Sequence, residues 1–226
     1  MQEISLLILC AGFGKRMLDL TTTTPKPLLK IKNKILLGNT INFFKDIGCN
    51  EIFINTHYLH KNIEEYIIRN FSTENISTIY EPSILGTGGG VKNIFNYTKN
   101  NKICVVNSDI FWIPENKKDI KNFLKNSNDV SYCKILLSKN DTFYGLKKKY
   151  GDFNIKNGTV SKWNKGNDIL IYSGIQIVSK NIFKQTKKKF SMNNIWDHLI
   201  TDKKLNGDFM STKILHIGDK NSFHQF

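Results

Sequence analysis

Residues 5–10, SLLILC, form an unbroken apolar run that stops abruptly at Ala11-Gly12-Phe13-Gly14-Lys15. A strand that is apolar at every position has to be covered on both faces, which helices packed on either side of a sheet achieve. The glycine-broken loop then reads as the turn from that strand into a helix. Shorter apolar runs recur at 51–55, 103–107 and 130–137, with helix-like stretches at 34–47, 61–70 and 117–124 between them. Alternating strands and helices predict an α/β fold, a doubly wound, mostly parallel Rossmann-like sheet. Ligands bind such sheets beyond the carboxyl ends of the strands, so the loops after Cys10, Asn55 and Asn107 are expected to converge.

From about residue 145 the pattern changes. Gly151, Gly158, Gly166 and Gly174 punctuate short alternating segments at 153–155 and 160–163, which predicts antiparallel hairpins and a small β-hairpin lobe. A helix over 194–201 and a last strand over 210–217 are expected to return the chain to the core. With 226 residues, 40% of them hydrophobic, the chain suffices for one domain over 1–226, divided at about residue 140. No apolar run approaches the roughly 20 residues of a membrane span, and no basic start precedes a long apolar stretch at the N-terminus. The expectation is a cytoplasmic protein with no membrane partner. The four cysteines, Cys10, Cys49, Cys104 and Cys133, are far apart and read as buried free thiols rather than a zinc site recruited with His57 and His60.

The net charge of +14 invites a nucleic-acid reading, since Lys and Arg neutralise phosphates. The basic residues are scattered, however, and all but Arg16 and Arg69 are lysine on polar, surface-like stretches. The expected partners are therefore small anions drawn in by long-range steering, with no nucleic acid.

Arg16 lies in the loop best suited to phosphate. Around Ala11, Gly12, Gly14 and Lys15 the backbone N–H groups can approach a triphosphate without a Cβ in the way. Arg16 adds a planar fork for phosphate oxygens, and Lys26 adds a point charge on a chain stiffened by Pro25 and Pro27. Two better-known phosphate loops are excluded by residue type. A dinucleotide-binding G-x-G-x-x-G needs glycine where Met17 stands, and a P-loop needs Ser or Thr where Arg16 follows Gly14-Lys15.

Further on, Glu81-Pro82-Ser83-Ile84-Leu85-Gly86-Thr87-Gly88-Gly89-Gly90 is too glycine-rich for a helix interior and reads as a loop running into a helix at 91–95. Backbone groups at Gly86 and Thr87, with the Glu81 carboxylate, suit the edge of a nucleobase. Asp109 follows the strand at 103–107, so its carboxylate is expected at the sheet's carboxyl edge. There it suits a hard cation, although capping a turn is the commoner use of an Asp in this position.

Leu9-Cys10-Ala11-Gly12-Phe13-Gly14-Lys15-Arg16-Met17, then Thr24-Pro25-Lys26-Pro27-Leu28, resembles the signature of the sugar nucleotidyltransferase family, L-A-A-G-x-G-x-R-M-x-P-L-T followed by P-K-P-L. Cys10 replaces the usual alanine and Asp19 the usual proline. The resemblance implies joining of a nucleoside triphosphate to a sugar 1-phosphate with release of pyrophosphate, and a part from about 141 to 226 that holds the sugar. It implies Mg²⁺, or Mn²⁺, at Asp109, through similarity of Asn107-Ser108-Asp109-Ile110 to N-G-D-V/I. His216, in His216-Ile217-Gly218-Asp219, occupies the place of the family's second metal-binding aspartate, with Asp219 nearby as a substitute. Arg16, Lys26 and Asp109 are thereby expected to be catalytic, and Ala11, Gly12, Gly14, Lys15, Glu81, Gly86 and Thr87 to hold the nucleotide. Asn55, Asp152 and Gly174 are expected at the sugar, with Lys162 and Lys165 candidates for its phosphate. Within the family, the stretches at 55–59, 85–90 and 151–153 look most similar to uridylyltransferases acting on N-acetylmuramate 1-phosphate. Mannose and heptose 1-phosphate guanylyltransferases share many of them. The substitution at His216 also motivates a different reading, an inactive sensor of nucleotide sugars, and the expected assembly is a monomer or small homo-oligomer.

Overall fold

A computed structural model describes residues 4–125, 127–184 and 186–226. The initial apolar run is strand β1 (Ser5–Leu9), and a small hairpin of β2 (Lys30–Ile31) and β3 (Lys34–Ile35) leads into helix α1 (Leu36–Asp46). Next come β4 (Ile52–Thr56), α2 (His60–Phe71), β5 (Ile76–Tyr80), α3 (Gly86–Ile94), β6 (Lys102–Asn107), β7 (Ile110–Phe111) and α4 (Asn116–Lys125). The later half runs β8 (Cys133–Lys139), β9 (Phe143–Tyr144), β10 (Phe153–Lys156), β11 (Thr159–Lys162), β12 (Leu170–Ser179), α5 (Met192–Thr201), β13 (Leu205–Met210), β14 (Ile214–His216) and α6 (Lys220–His224).

Nine strands form one sheet in the order β10-β11-β13-β8-β12-β6-β1-β4-β5. Side-chain alternation on β1 explains its two coverings. Leu6 and Ile8 enter a core with Leu37 and Phe44 of α1, Ile63 of α2 and Phe123 of α4. Leu7 enters the opposite core with Val91 and Ile94 of α3 and with Ile195 and Trp196 of α5. Helices therefore cover both faces, as the unbroken apolar run requires.

The expectation of a mostly parallel sheet needs correcting. β6, β1, β4 and β5 pair in parallel, as do β8 and β13. β12, however, inserts antiparallel between β6 and β8, and the β10–β11 hairpin joins β13 antiparallel at the edge. The sheet is mixed, and its hairpin extends the same sheet rather than standing apart from it. A smaller sheet, β7-β14-β9, places His216 opposite Ile110 and brings the C-terminal chain beside the loop after β6. Among the described residues no helix is long and apolar enough to cross a membrane.

Candidate active site

The loops after β1, β4, β5 and β6 converge on a cleft of about 420 Å³ at the carboxyl edge of the parallel strands. Ala11, Gly12, Gly14, Lys15, Arg16, Lys26, Asn55, Glu81, Gly86, Thr87 and Asp109 all line it. One hollow thus gathers residues spread over a hundred positions. Ser108 and Gly218, which residue type alone does not mark as ligand-facing, also border the cleft. Their signal was present in the two motifs that carry Asp109 and His216.

The loop after β1 does not enter an α-helix as expected. Residues Lys15–Thr21 form a 3₁₀ segment broken at Leu18, whose φ of 54° and ψ of −124° are non-helical. An aligned helix dipole is therefore missing here, and the cations that line the cleft at this loop are Lys15, Arg16 and Lys26. Gly14 turns the chain with φ at +66°, and a Cβ there would press on Thr21 and Lys26 at 3.2 and 3.3 Å. Arg16 and Lys15 are exposed at the rim, whereas Lys26 is buried.

Lys26 Nζ donates to Asp109 Oδ2 at 2.9 Å and to the Gly218 carbonyl at 3.4 Å. His216 Nε2 lies 3.5 Å from the same Asp109 oxygen. Burial pushes the Asp109 carboxyl up, but the Lys26 ammonium and the His216 hydrogen bond overcome this and hold it far below the usual carboxylate range. Asp109 is thus a fixed anion. Among the described residues its Oδ1 and His216 Nδ1 are buried without a hydrogen-bond partner. The unsatisfied carboxylate oxygen of Asp109 at the cleft suits a divalent cation, whereas His216 does not line the cleft and the ring nitrogen beside Asp109 is Nε2, not the unpartnered Nδ1. No cluster of three or more acidic, His or Cys side chains occurs among the described residues, so the chain itself supplies few ligands. Asp219 is not part of this set. Its side chain accepts from Ser222 N at 2.8 Å and caps α6.

Cys10 also borders the cleft, but burial pushes its thiol up to about 12, with a bond to Ser108 only partly opposing. It is a neutral wall group, not a nucleophile.

The glycine-rich stretch is itself helix α3 rather than a loop leading into one. Close packing on three sides explains its glycines. A Cβ at Gly88 would strike the Phe190 ring at 2.3 Å, at Gly89 the Lys188 carbonyl at 2.4 Å, and at Gly90 Asn55 Nδ2 at 2.8 Å. The Phe190 carbonyl accepts from the N–H groups of Gly88 and Gly89 at 3.0 and 3.2 Å, so these donors are already used. Gly86 and Thr87, two residues earlier, are the residues of this helix that reach the cleft.

Of the residues expected at the sugar, Asn55 lines the cleft, held between Cys10 and Glu81. The others do not line it. Asp152 is held by Lys148 Nζ at 2.5 Å and by Tyr172 N at 3.1 Å, stitching the hairpin to β12. Lys162 is paired with Asp197, and Lys165 is exposed at the end of the hairpin. Gly174, with φ at +83°, lies behind the Asp109 loop, where a Cβ would meet Ile110 at 3.0 Å.

Residues 5–163 match the family of nucleotidyl transferases. The chain is 26% identical to the D-glycero-alpha-D-manno-heptose 1-phosphate guanylyltransferase of Campylobacter jejuni, over 97% of each chain. It is 36% identical to the N-acetylmuramate alpha-1-phosphate uridylyltransferase of Neisseria meningitidis over 46% of each. Like that match, the one to the heptose 1-phosphate guanylyltransferase of Aneurinibacillus thermoaerophilus, at 30% identity, spans about half the relative's length, 49%. The crystal structure of HddC from Yersinia pseudotuberculosis complexed with GMP-PN superposes with a TM-score of 0.78 at 26% identity, covering 98% of this chain and 97% of that one. The family match covers well over half of the sequence, and the cleft gathers that sequence's glycine, Arg16, Lys26 and Asp109 motifs: the chain belongs to the nucleotidyl transferase family.

Proposed function

We propose that this chain transfers a nucleoside monophosphate from a nucleoside triphosphate to a sugar 1-phosphate, releasing pyrophosphate. The observation that carries the reading is the single cleft in which the glycine loop, exposed Arg16 and the Lys26–Asp109 pair face Glu81, Gly86 and Thr87. An oxygen of the sugar phosphate attacks the α-phosphorus, forming a new P–O bond as the bond to the β-phosphate oxygen breaks. The nucleophile is already anionic, so no general base is needed. The task is to hold two repelling anions in line and to stabilise charge on the transferring group. Loop N–H groups at 11–14 orient the triphosphate, and Arg16 and Lys26 carry the departing pyrophosphate. Asp109, with His216 beside it, is the residue that would hold Mg²⁺ or Mn²⁺, and the ion would supply charge neutralisation for the phosphates.

GTP with a heptose 1-phosphate takes precedence over UTP with N-acetylmuramate 1-phosphate. Over nearly the full length, identity is 26% to a heptose 1-phosphate guanylyltransferase and 22% to the N-acetylmuramate alpha-1-phosphate uridylyltransferase of Caulobacter vibrioides, and the guanylyl reading is put first on that difference. The test is pyrophosphate release across the four nucleoside triphosphates and a panel of heptose, mannose, glucose and N-acetylmuramate 1-phosphates, with Mg²⁺ and separately with Mn²⁺. A productive guanosine pair is expected. Uridine in its place reverses the base assignment. Nucleotide binding without turnover, from folded protein, makes the chain a sensor and removes the enzyme reading.

A further inference from the structure

Asn55 is the penultimate residue of β4, 3% exposed, and paired in register with Leu9 of β1 on one side and Ile79 of β5 on the other. Its side chain joins the two loops that line the nucleotide end of the cleft. Oδ1 accepts from Cys10 N at 3.0 Å, where the phosphate loop leaves β1. Nδ2 donates to Glu81 Oε1 at 2.8 Å. Glu81, 1% exposed, accepts with its other oxygen from Leu85 N at 3.0 Å, the residue just before α3. Chemistry fixes the orientation of the amide, because the Cys10 N–H can meet only an acceptor and the carboxylate only a donor.

We infer that Asn55 is a positioning residue for the nucleoside triphosphate: its amide sets the spacing between the phosphate loop at Cys10–Gly14 and the start of α3, where Gly86 and Thr87 face the base. This rests on the nucleotidyl-transfer reading above and adds a role to it. Asn55 is 3% exposed at the cleft wall, and both ends of its amide are engaged, by Cys10 N and by Glu81 Oε1. Asn55 therefore acts through the loops it joins. No other side chain of this size serves. Aspartate would set a second carboxylate against Glu81, and leucine would leave the Cys10 N–H and a Glu81 oxygen buried and unpaired.

Asn55→Asp tests the inference, with Gly90→Ala, which wedges the same pair apart from the far side, as a second route. Both are expected to raise the KM and the calorimetric Kd for GTP by about tenfold or more. The KM for the sugar 1-phosphate should stay within about twofold, a split that general loosening of the fold would not produce. Amide exchange at Cys10 and Leu85 should speed up together. Combining Asn55→Asp with Glu81→Gln restores one donor opposite one carboxylate and is expected to return protection at both amides. Nucleotide KM and Kd left unchanged in both single variants, or both KM values rising in parallel, overturn the inference while leaving the activity standing. Wild-type protein that binds no nucleoside triphosphate removes the underlying reading instead, and the positioning role with it.

Discussion

Arg16 and Lys26 carry the same charge but are open to very different experiments. Lys26 is buried against Asp109, with side-chain exposures of 11% and 17%. Removing either partner strands the other, at a cost of roughly 3–5 kcal/mol for a fully buried pair. Lost activity in such a variant would not separate chemistry from folding. Arg16 stands exposed at the rim, so Arg16→Ala is expected to leave stability within about 0.5 kcal/mol. Turnover should fall by about 10²–10³, the usual cost of losing one group that stabilises developing charge. Steady-state kinetics paired with a thermal melt checks this, and unchanged turnover takes Arg16 out of the mechanism. The sequence made this residue legible because it is an arginine in a lysine-rich chain, placed directly after a glycine loop. It could not show that Asn55 faces Cys10 and Glu81, because that contact depends on the order of β1, β4 and β5 in the sheet.

Helix α3 shows an element whose local preferences point the wrong way. Glycine costs about 1 kcal/mol relative to alanine in a helix interior, so a run of glycines predicts a loop. Tertiary packing decides otherwise, because the segment before α5 lies on this helix too closely for any Cβ. The competition is measurable at Gly89. Alanine there gains about 1 kcal/mol of helix propensity. Its Cβ, however, falls 2.4 Å from the Lys188 carbonyl and 2.9 Å from Leu85 Cβ, and backbone cannot swing aside as a flexible side chain can. Overpacking of this kind costs about 1–3 kcal/mol, so Gly89→Ala is expected to be net destabilising by up to about 2 kcal/mol in urea unfolding. A stabilised variant would mean that the 186–190 segment yields freely. β12 escaped the sequence reading for a related reason. Gly174 interrupts its apolar pattern, and the register with β8 shifts between Tyr172 and Gln176, so ten residues of strand read as punctuated hairpin.

At the scale of the whole molecule, the apolar runs made both helical layers legible, because a strand buried on two faces is visible in its own residues. The strand order was not, since β12 reaches β6 only after some seventy intervening residues, a pairing no local pattern records. The same two-sided burial encloses all four thiols, Cys10, Cys49, Cys104 and Cys133, and gives the fold a pH signature. Burial pushes Cys10, Cys49 and Cys133 up to about 12 and Cys104 well above its ordinary value of 9.0. The sign follows from proton counting. Above about pH 9 the unfolded chain releases these protons while the native chain keeps them, so the native state binds more and stability falls as pH rises. The stabilisation is complete below the unfolded thiol pKa and is withdrawn through the window up to about 12. Each thiol contributes at most about 1.4 kcal/mol per pH unit within it. Thermal melts from about pH 8 to pH 10.5 should therefore show a falling Tm. Cys49→Ala, well away from the cleft, should make that fall shallower while lowering Tm at neutral pH through a small cavity. A slope indifferent to Cys49 would assign the alkaline loss to lysines leaving their ion pairs and not to the buried thiols.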